Sequence, residues 1–442
     1  MPSGTRVRIY PQPPFLASVR EPETVWLSSP AGTVEPGPSD ERMYVIEPVG
    51  KREPYGVAFT SYGTPYLYLP PWRQAIRPRA LPDADGHFDH LDVGTPEFEM
   101  AHTYGCVRFV LDVWERYFGR PIEWHFSPTY DRLEIVLLPG WDNAQAGWGF
   151  MEVGAHTTEE GELRPFSLNF DTIAHEVGHL IIYSEVGIPS MEGAESEYFG
   201  FQEAAADLTA LVAVLHFDSV VSRLLEMTRG NLYTFNELNR FAELGENEQI
   251  RIAGSDTKLS AFAVGWTDEH DLSKPLTGAL FDIFVDIFHE SLLDRGLISP
   301  DVEDLADQVQ YVPEYEPLIQ ALFDDAYAVD PYGFREALLD ARDDLGHALA
   351  QTWQRLRPYS LNYEDVADVL LEVDLELTGG RYQRLIRNNF LWREIGLVRV
   401  GPRLALPGTG SHALSARTIT PESKPTVRRL SYRERWQIAQ QG

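Results

Sequence analysis

The sequence predicts an α+β fold in two lobes, β-rich at the N-terminal side and helical at the C-terminal side, with one helix near residues 171–186 between them. Three observations carry this. A chain of 442 residues is too long for one ordinary hydrophobic core. Short alternating apolar runs dominate before about residue 170, and helical periodicity dominates after it. The apolar run "DTIAHEVGHLIIYSEVGIP" joins the two regimes and should stop at Gly187 and Pro189.

Taken in order, residues 1–92 are rich in proline and aromatics. "RVRIY", "TVWL", "MYVIEPV" and "YLYLP" read as strands joined by Pro/Gly turns, and 71–86 reads as a loop. From 95 to 119 the period changes. Met100, Tyr104, Val107, Leu111 and Trp114 recur at helical spacing, Thr95 can cap and Gly119 can end the helix. "RLEIVLLPG" (132–140) is a strand, and "WDNAQAGWGFMEVG" (141–154) a turn and an edge strand. Helices are expected at 200–216, 218–228, 275–294, 333–357, 363–373 and 379–393. The expected units are a β-type module over 1–92, an upper lobe over 93–188, a helical lower lobe over 189–400 and a tail over 401–442. The tail carries seven Lys/Arg against two Glu, opposite in sign to the rest.

Net charge is −30, which excludes nucleic acid as a partner of the body, because phosphate binding needs clustered Lys and Arg. The longest near-apolar runs, 208–217 and 278–288, fall short of the roughly 20 residues of a membrane span. "MPSGTRVRIYPQPPF" lacks the apolar stretch of a signal peptide, so a soluble and slightly preferably cytoplasmic chain is expected. The single cysteine, Cys106, allows no intrachain disulfide.

Within 171–186, His175-Glu176-Val177-Gly178-His179 puts two imidazoles four residues apart on one helical face, near enough to share one zinc ion. Glu176 lies about 100° around the helix, placed to reach a water at the metal rather than the metal itself. Zinc makes such a water acidic, and the glutamate takes its proton during attack on a carbonyl. A third protein ligand is required. A histidine six residues beyond His179 is ruled out, because that position is Glu185. "FGFQEAAADLTALVAVLHF" offers Glu203 as the ligand and Asp207, four residues on, as the acceptor for the other N–H of His175. Ala204, Ala205 and Ala206 are small enough to let this helix approach the first closely. Glu185, Glu192, Glu195 and Glu197 are weaker ligand candidates.

On these residues the sequence resembles the thermolysin-like metallopeptidases, or gluzincins, in which H-E-x-x-H is followed by a helix bearing Glu-x-x-x-Asp. The resemblance covers about residues 95–295 and implies the two-lobed zincin-type fold. It implies that Asn143 and Ala144 of "DNAQAGWGFMEVG" hold substrate on an edge strand. It further implies that His270, three residues before Ser273, steadies the oxyanion, that Arg251 contacts the substrate carbonyl, and that Tyr198 assists beside the site. This sequence departs from the pattern in the 23 residues between His179 and Glu203, and in Gln202 where the family usually has Asn. The implied activity is zinc-dependent hydrolysis of a peptide or protein substrate, with endopeptidase preferred. An aminopeptidase using acidic linker residues to anchor the substrate amine is the near rival. A non-catalytic binding or scaffold protein of the same fold is the rival from another class.

Overall fold

The structure, a computed structural model, describes residues 4–15, 21–59, 64–190, 194–232, 240–242, 250–252, 255–302, 305 and 313–401. Strands come first: β1 (Gly4–Ile9), β2 (Glu23–Pro30), β3 (Met43–Ile46), β4 (Gly56–Phe59) and β5 (Pro65–Tyr68). Helix α1 (Pro96–Phe118) follows, then β6 (Leu133–Leu137), β7 (Ala144–Gly147), β8 (Phe150–Val153), β9 (Ala155–Thr157) and β10 (Leu163–Pro165). Helices α2 (Phe170–Glu185), α3 (Ser196–Val214) and α4 (Asp218–Thr228) come next, with β11 (Arg240–Ala242) and β12 (Ile250–Ile252) after them. The chain continues through α5 (Glu269–Asp294), α6 (Glu316–Val329), α7 (Pro331–Arg355), α8 (Tyr363–Thr378) and α9 (Gln383–Trp392). The fold is mixed α+β, with strands concentrated before α2 and helices after it. No single helix among the described residues is long and apolar enough to cross a membrane.

Helix α1 forms as its sequence dictates. Thr95 Oγ1 accepts the Phe98 N–H at 3.2 Å, Pro96 occupies the first turn, and Gly119 closes the helix at φ 69°. The antiparallel pair β1–β2 packs on α1 where Gly105 leaves no Cβ to strike Val7. The main sheet has the order β3-β6-β8-β7, parallel except for β7, which runs antiparallel to β8. Strand β3 therefore joins the same sheet as β6 to β8, and the expected boundary at residue 92 falls inside that sheet.

The segment around β4 and β5 is fastened to this sheet by buried charge. Lys51 Nζ lies 3.0 Å from Glu152 Oε1 on β8 and over the rings of Tyr55 and Tyr68. Glu152 also accepts the Tyr55 N–H and the Gln145 amide, while Glu134 accepts from the Tyr44 and Tyr55 hydroxyls. A buried carboxylate is tolerated only with its lone pairs met in this way.

Helix α5 begins at Glu269, six residues before the expected start at Pro275. Proline reads as a first-turn residue, but Asp268 is the cap, its carboxylate accepting the His270 N–H at 2.8 Å. Six residues are gained by that cap, and they bring His270 into the helix.

On α1, His102 is fully buried, and its Nε2 accepts the Tyr10 N–H at 3.0 Å. Burial lowers its pKa from 6.5 to about 4, against the raising effect of hydrogen bonds with the Ser167 and Tyr10 backbone. The folded state thus holds it neutral. Its contribution is complete above pH 6.5 and is lost as pH falls from there toward 4, where the unfolded chain binds the proton first. Between pH 7.5 and 5 this amounts to about 2 kcal/mol. Denaturant unfolding of the wild type and His102→Gln at the two pH values should show the wild type losing that much more. Parallel losses would refute the assignment.

Candidate metal centre

Asn169 opens α2, its Oδ1 accepting the N–H groups of Asp171 and Thr172. The helix then runs through the core, with Ile173, Ala174, Val177, Leu180 and Ile181 buried, and carries His175, Glu176 and His179, all buried as well. Helix α3 crosses it closely. A Cβ on Gly178 would lie 2.7 Å from the Ala206 Cα and 3.0 Å from the Thr209 Cβ, so glycine on one helix and alanine on the other set the approach.

This approach brings Glu203 to the two histidines. His175 Nε2 lies 3.1 Å from His179 Nε2 and 3.3 Å from Glu203 Oε2, and His179 Nε2 lies 3.8 Å from Glu203 Oε1. All three side chains are buried, and one ligand atom from each falls within 4.8 Å of the others, a group that could hold a metal ion. Bonds of about 2.0–2.1 Å in a tetrahedron put ligand atoms roughly 3.3 Å apart, which these separations match.

Behind the ligand atoms, the other ring nitrogens are held. His175 Nδ1 is 2.9 Å from Asp207 Oδ1. His179 Nδ1 is 3.4 Å from Gln202 Oε1, Gln202 Nε2 donates to the Tyr198 hydroxyl at 2.9 Å, and that hydroxyl donates to the Gly187 carbonyl at 2.7 Å. The direction of this second chain is fixed by its end. A carbonyl only accepts, so Tyr198 donates to it and receives the Gln202 amide, whose oxygen then faces His179. Both histidines are thereby set to carry a proton on Nδ1 and a lone pair on Nε2. Two lone pairs at 3.1 Å repel, which is the donor arrangement of a site for a cation.

His270, from the first turn of α5, places Nδ1 2.7 Å from Glu203 Oε2. Burial pushes the Glu203 carboxyl upward. The His270 imidazole beside it, 2.7 Å away, outweighs burial and holds the group well below the usual carboxylate range. Ser273, the other half of the expected pair, donates its hydroxyl to the His270 carbonyl at 2.8 Å and serves the helix.

Of the remaining expected residues, Asn143 precedes β7, and its carbonyl accepts the Gly154 N–H at 2.9 Å. Ala144 opens β7 opposite Val153. One flank of β7 bonds to β8, and no strand pairs with the other flank among the described residues. Helix α2 packs against this strand, so the edge lies beside the metal helix. Arg251 falls on β12, and its side chain lies outside the described residues.

Tyr198, expected to assist beside the site, lies in the interior of the α3 packing. It is completely buried, and its hydroxyl is bonded to Gly187 and Gln202. Its place on the first turn of α3, one turn before Gln202, suits it to orient that amide. The weaker ligand candidates are engaged elsewhere or undescribed. Glu185 forms a two-point pair with Arg120, and Glu197 accepts the Tyr363 N–H. Glu195 occupies the cap position of α3, and Glu192 lies outside the described residues.

Sequence reasoning missed Tyr183, whose ring stacks on His179 at 6.3 Å between centroids. It also missed His125, which lies against Tyr183 and Trp148. Tyr183 was accessible as the residue one turn beyond His179 on the same face; His125 was not, since only folding brings it there.

An Asp207→Ala variant should bind zinc 10- to 100-fold more weakly, because His175 then loses the acceptor that fixes its ring. Competition with a chromogenic chelator measures this, and unchanged affinity would remove Asp207 from the site.

No family model matches the chain, and no curated protein matches it in sequence. Among solved structures it is similar to the precursor of protealysin, a metalloproteinase from Serratia proteamaculans. The TM-score is 0.39 with 10% identity, over 70% of this chain and 81% of that one.

Proposed function

We propose that the protein is a zinc-dependent endopeptidase of the thermolysin-like kind. One observation carries the reading: two imidazole lone pairs and a carboxylate converge with tetrahedral spacing, and the next residue after the first histidine is a glutamate. Zinc, when bound by His175, His179 and Glu203, supplies a Lewis acid that polarises a carbonyl and acidifies water. The chain's own residues do the rest. Asp207 and Gln202 hold the two imidazoles in the required tautomer. Glu176 accepts the proton of the attacking water and returns it to the leaving amine. In this reading His270, whose Nδ1 lies 2.7 Å from Glu203 Oε2, steadies negative charge developing on the carbonyl oxygen. The flank of β7 that no strand pairs with among the described residues, from Ala144 with Asn143 before it, receives an extended substrate by main-chain pairing. Helix α2 beneath it keeps the scissile bond over the histidines. In this reading the 1–92 segment braces the sheet, α2 closes the upper lobe, and α3 onward forms the lower one.

Endopeptidase is preferred to aminopeptidase on the fate of the acidic linker. Of its side chains, Glu197 has an oxygen committed to the Tyr363 N–H and is buried. Zinc-loaded protein should cleave internal bonds of peptides blocked at both ends, and a chelator should stop it, with mass spectrometry locating the cuts. Cleavage confined to peptides with a free amino terminus would favour the aminopeptidase. Zinc binding without cleavage of any peptide would favour the scaffold.

A further inference from the structure

A second site lies at the sheet edge formed by β3, and it is independent of the proposed peptidase activity. Strand β7, with the metal helix against it, is at the other edge, three strand spacings or about 14 Å away. Beside β3, the 35–39 turn and the 72–79 loop border a cavity of about 410 Å³. Small-molecule sites span roughly 300–1,000 Å³. Backbone bonds fix the rim. The Gly37 N–H donates to the Ala80 carbonyl at 3.0 Å, the Val49 N–H to the Ala75 carbonyl at 2.9 Å, and the Arg77 N–H to the Glu47 carbonyl at 2.9 Å.

Three arginines, Arg73, Arg79 and Arg132, line this cavity against one carboxylate, Glu35. The lining is thus doubly positive in a chain whose net charge is −30. Arg132 is held in place. Its Nη1 donates to Ser39 Oγ at 3.0 Å and to the Asp40 carbonyl at 3.2 Å, and its guanidinium lies 4.8 Å over the centre of the Tyr44 ring. Neither bond uses the Nε–Nη2 edge, the fork that meets two oxygens of an oxyanion. The aromatic walls are fixed as well. Buried Glu134 accepts from the Tyr44 hydroxyl at 2.6 Å and from the Trp72 N–H at 3.0 Å, and the Trp72 indole N–H donates to the Ala75 carbonyl at 3.0 Å. Ile46 and Ile76 also line the cavity. Like charges gathered in one place repel one another, and a dianion seated among them removes that cost.

We propose that this cavity binds a small phosphate monoester: the phosphate among Arg73, Arg79 and Arg132, and an apolar or aromatic body along Tyr44 and Trp72. A monoester is close to a dianion above pH 7, so it matches the charge of the lining where a monocarboxylate does not. Guanidinium forks suit its oxygens, and the fixed aromatic walls suit a flat body.

Phenyl phosphate is the probe. Phenol is its uncharged body, and inorganic phosphate is its bare anion. Titration calorimetry on the full chain at pH 8 and low salt should show saturable binding of phenyl phosphate. It should be at least tenfold tighter than phenol and severalfold tighter than inorganic phosphate, and it should weaken as salt is added. Arg132→Gln and the double variant Arg73→Gln/Arg79→Gln should each weaken binding tenfold or more. Thermal unfolding checks that both fold. Arg73 and Arg79 are exposed, so the double variant decides the matter if Arg132→Gln does not fold. No saturation below about 10 mM would overturn the site. So would an affinity equal to that of phenol or of inorganic phosphate, or unchanged binding in the double variant, the result expected if the anion sat at the metal centre instead.

Discussion

Glu176→Gln is expected to lower kcat/KM on a blocked peptide by about 10²- to 10⁴-fold while leaving zinc stoichiometry at one per chain. The size follows from the role. Glutamine keeps the shape and the hydrogen-bonding reach of glutamate but cannot accept a proton, so what is lost is general-base catalysis, roughly 3–5 kcal/mol of barrier. The metal should stay because the three side chains proposed to hold it, His175, His179 and Glu203, are each held by a different partner: Asp207, Gln202 and His270. Buried on α2 between those histidines, Glu176 has a position that a structural role would fill better with an apolar residue. Steady-state kinetics and metal analysis on the same samples separate the outcomes. Equal activity in wild type and variant would assign the cleavage to a contaminant. Loss of both zinc and activity would make Glu176 a residue of the ligand scaffold instead of the base.

Gly178→Val is expected to destabilise the protein by about 3 kcal/mol and to weaken zinc binding at least tenfold. Position 178 sits between the two histidines and faces α3. Even the first added carbon would meet the Ala206 Cα at 2.7 Å, and backbone cannot move aside as a flexible side chain would. Helix α3 must therefore shift outward, and Glu203 and Asp207 travel with it. The two Nε2 atoms lie 3.1 Å apart and each has a Glu203 oxygen at 3.3 or 3.8 Å, so a displacement of an ångström removes Glu203 from reach. Thermal unfolding of the metal-free protein reads the packing cost, and chelator competition reads the site. A variant with unchanged zinc affinity would show that the helix spacing is not what places Glu203.

Much of the candidate site was legible because it is local. His175, Glu176 and His179 occupy one helix, and 3.6 residues per turn alone puts the two imidazoles together. Glu203 and Asp207 were legible for the same reason within their own helix, with the intervening alanines marking a close contact. His270 required a resemblance, and its helix was misjudged at Pro275 because the cap at Asp268 carries no apolar period. The surroundings of Tyr198 were not legible, because sequence spacing shows which turn a residue occupies but not which way the helix is rotated against its neighbour. Here α3 turns Tyr198 inward to Gly187 and sends Glu203 to the metal face.

The amino-acid sequence by itself determined the strand-then-helix order, the capped α1, the metal-binding pattern on α2 and the amphipathic helices that follow, since each depends on residues within a few turns of one another. Only the tertiary structure decided that β3 pairs with β6 in one sheet, that Gln202 and Tyr198 orient His179, and that His270 meets Glu203. Those contacts join residues tens to hundreds of positions apart. Their geometry follows from how whole helices and strands pack, which local periodicity does not encode.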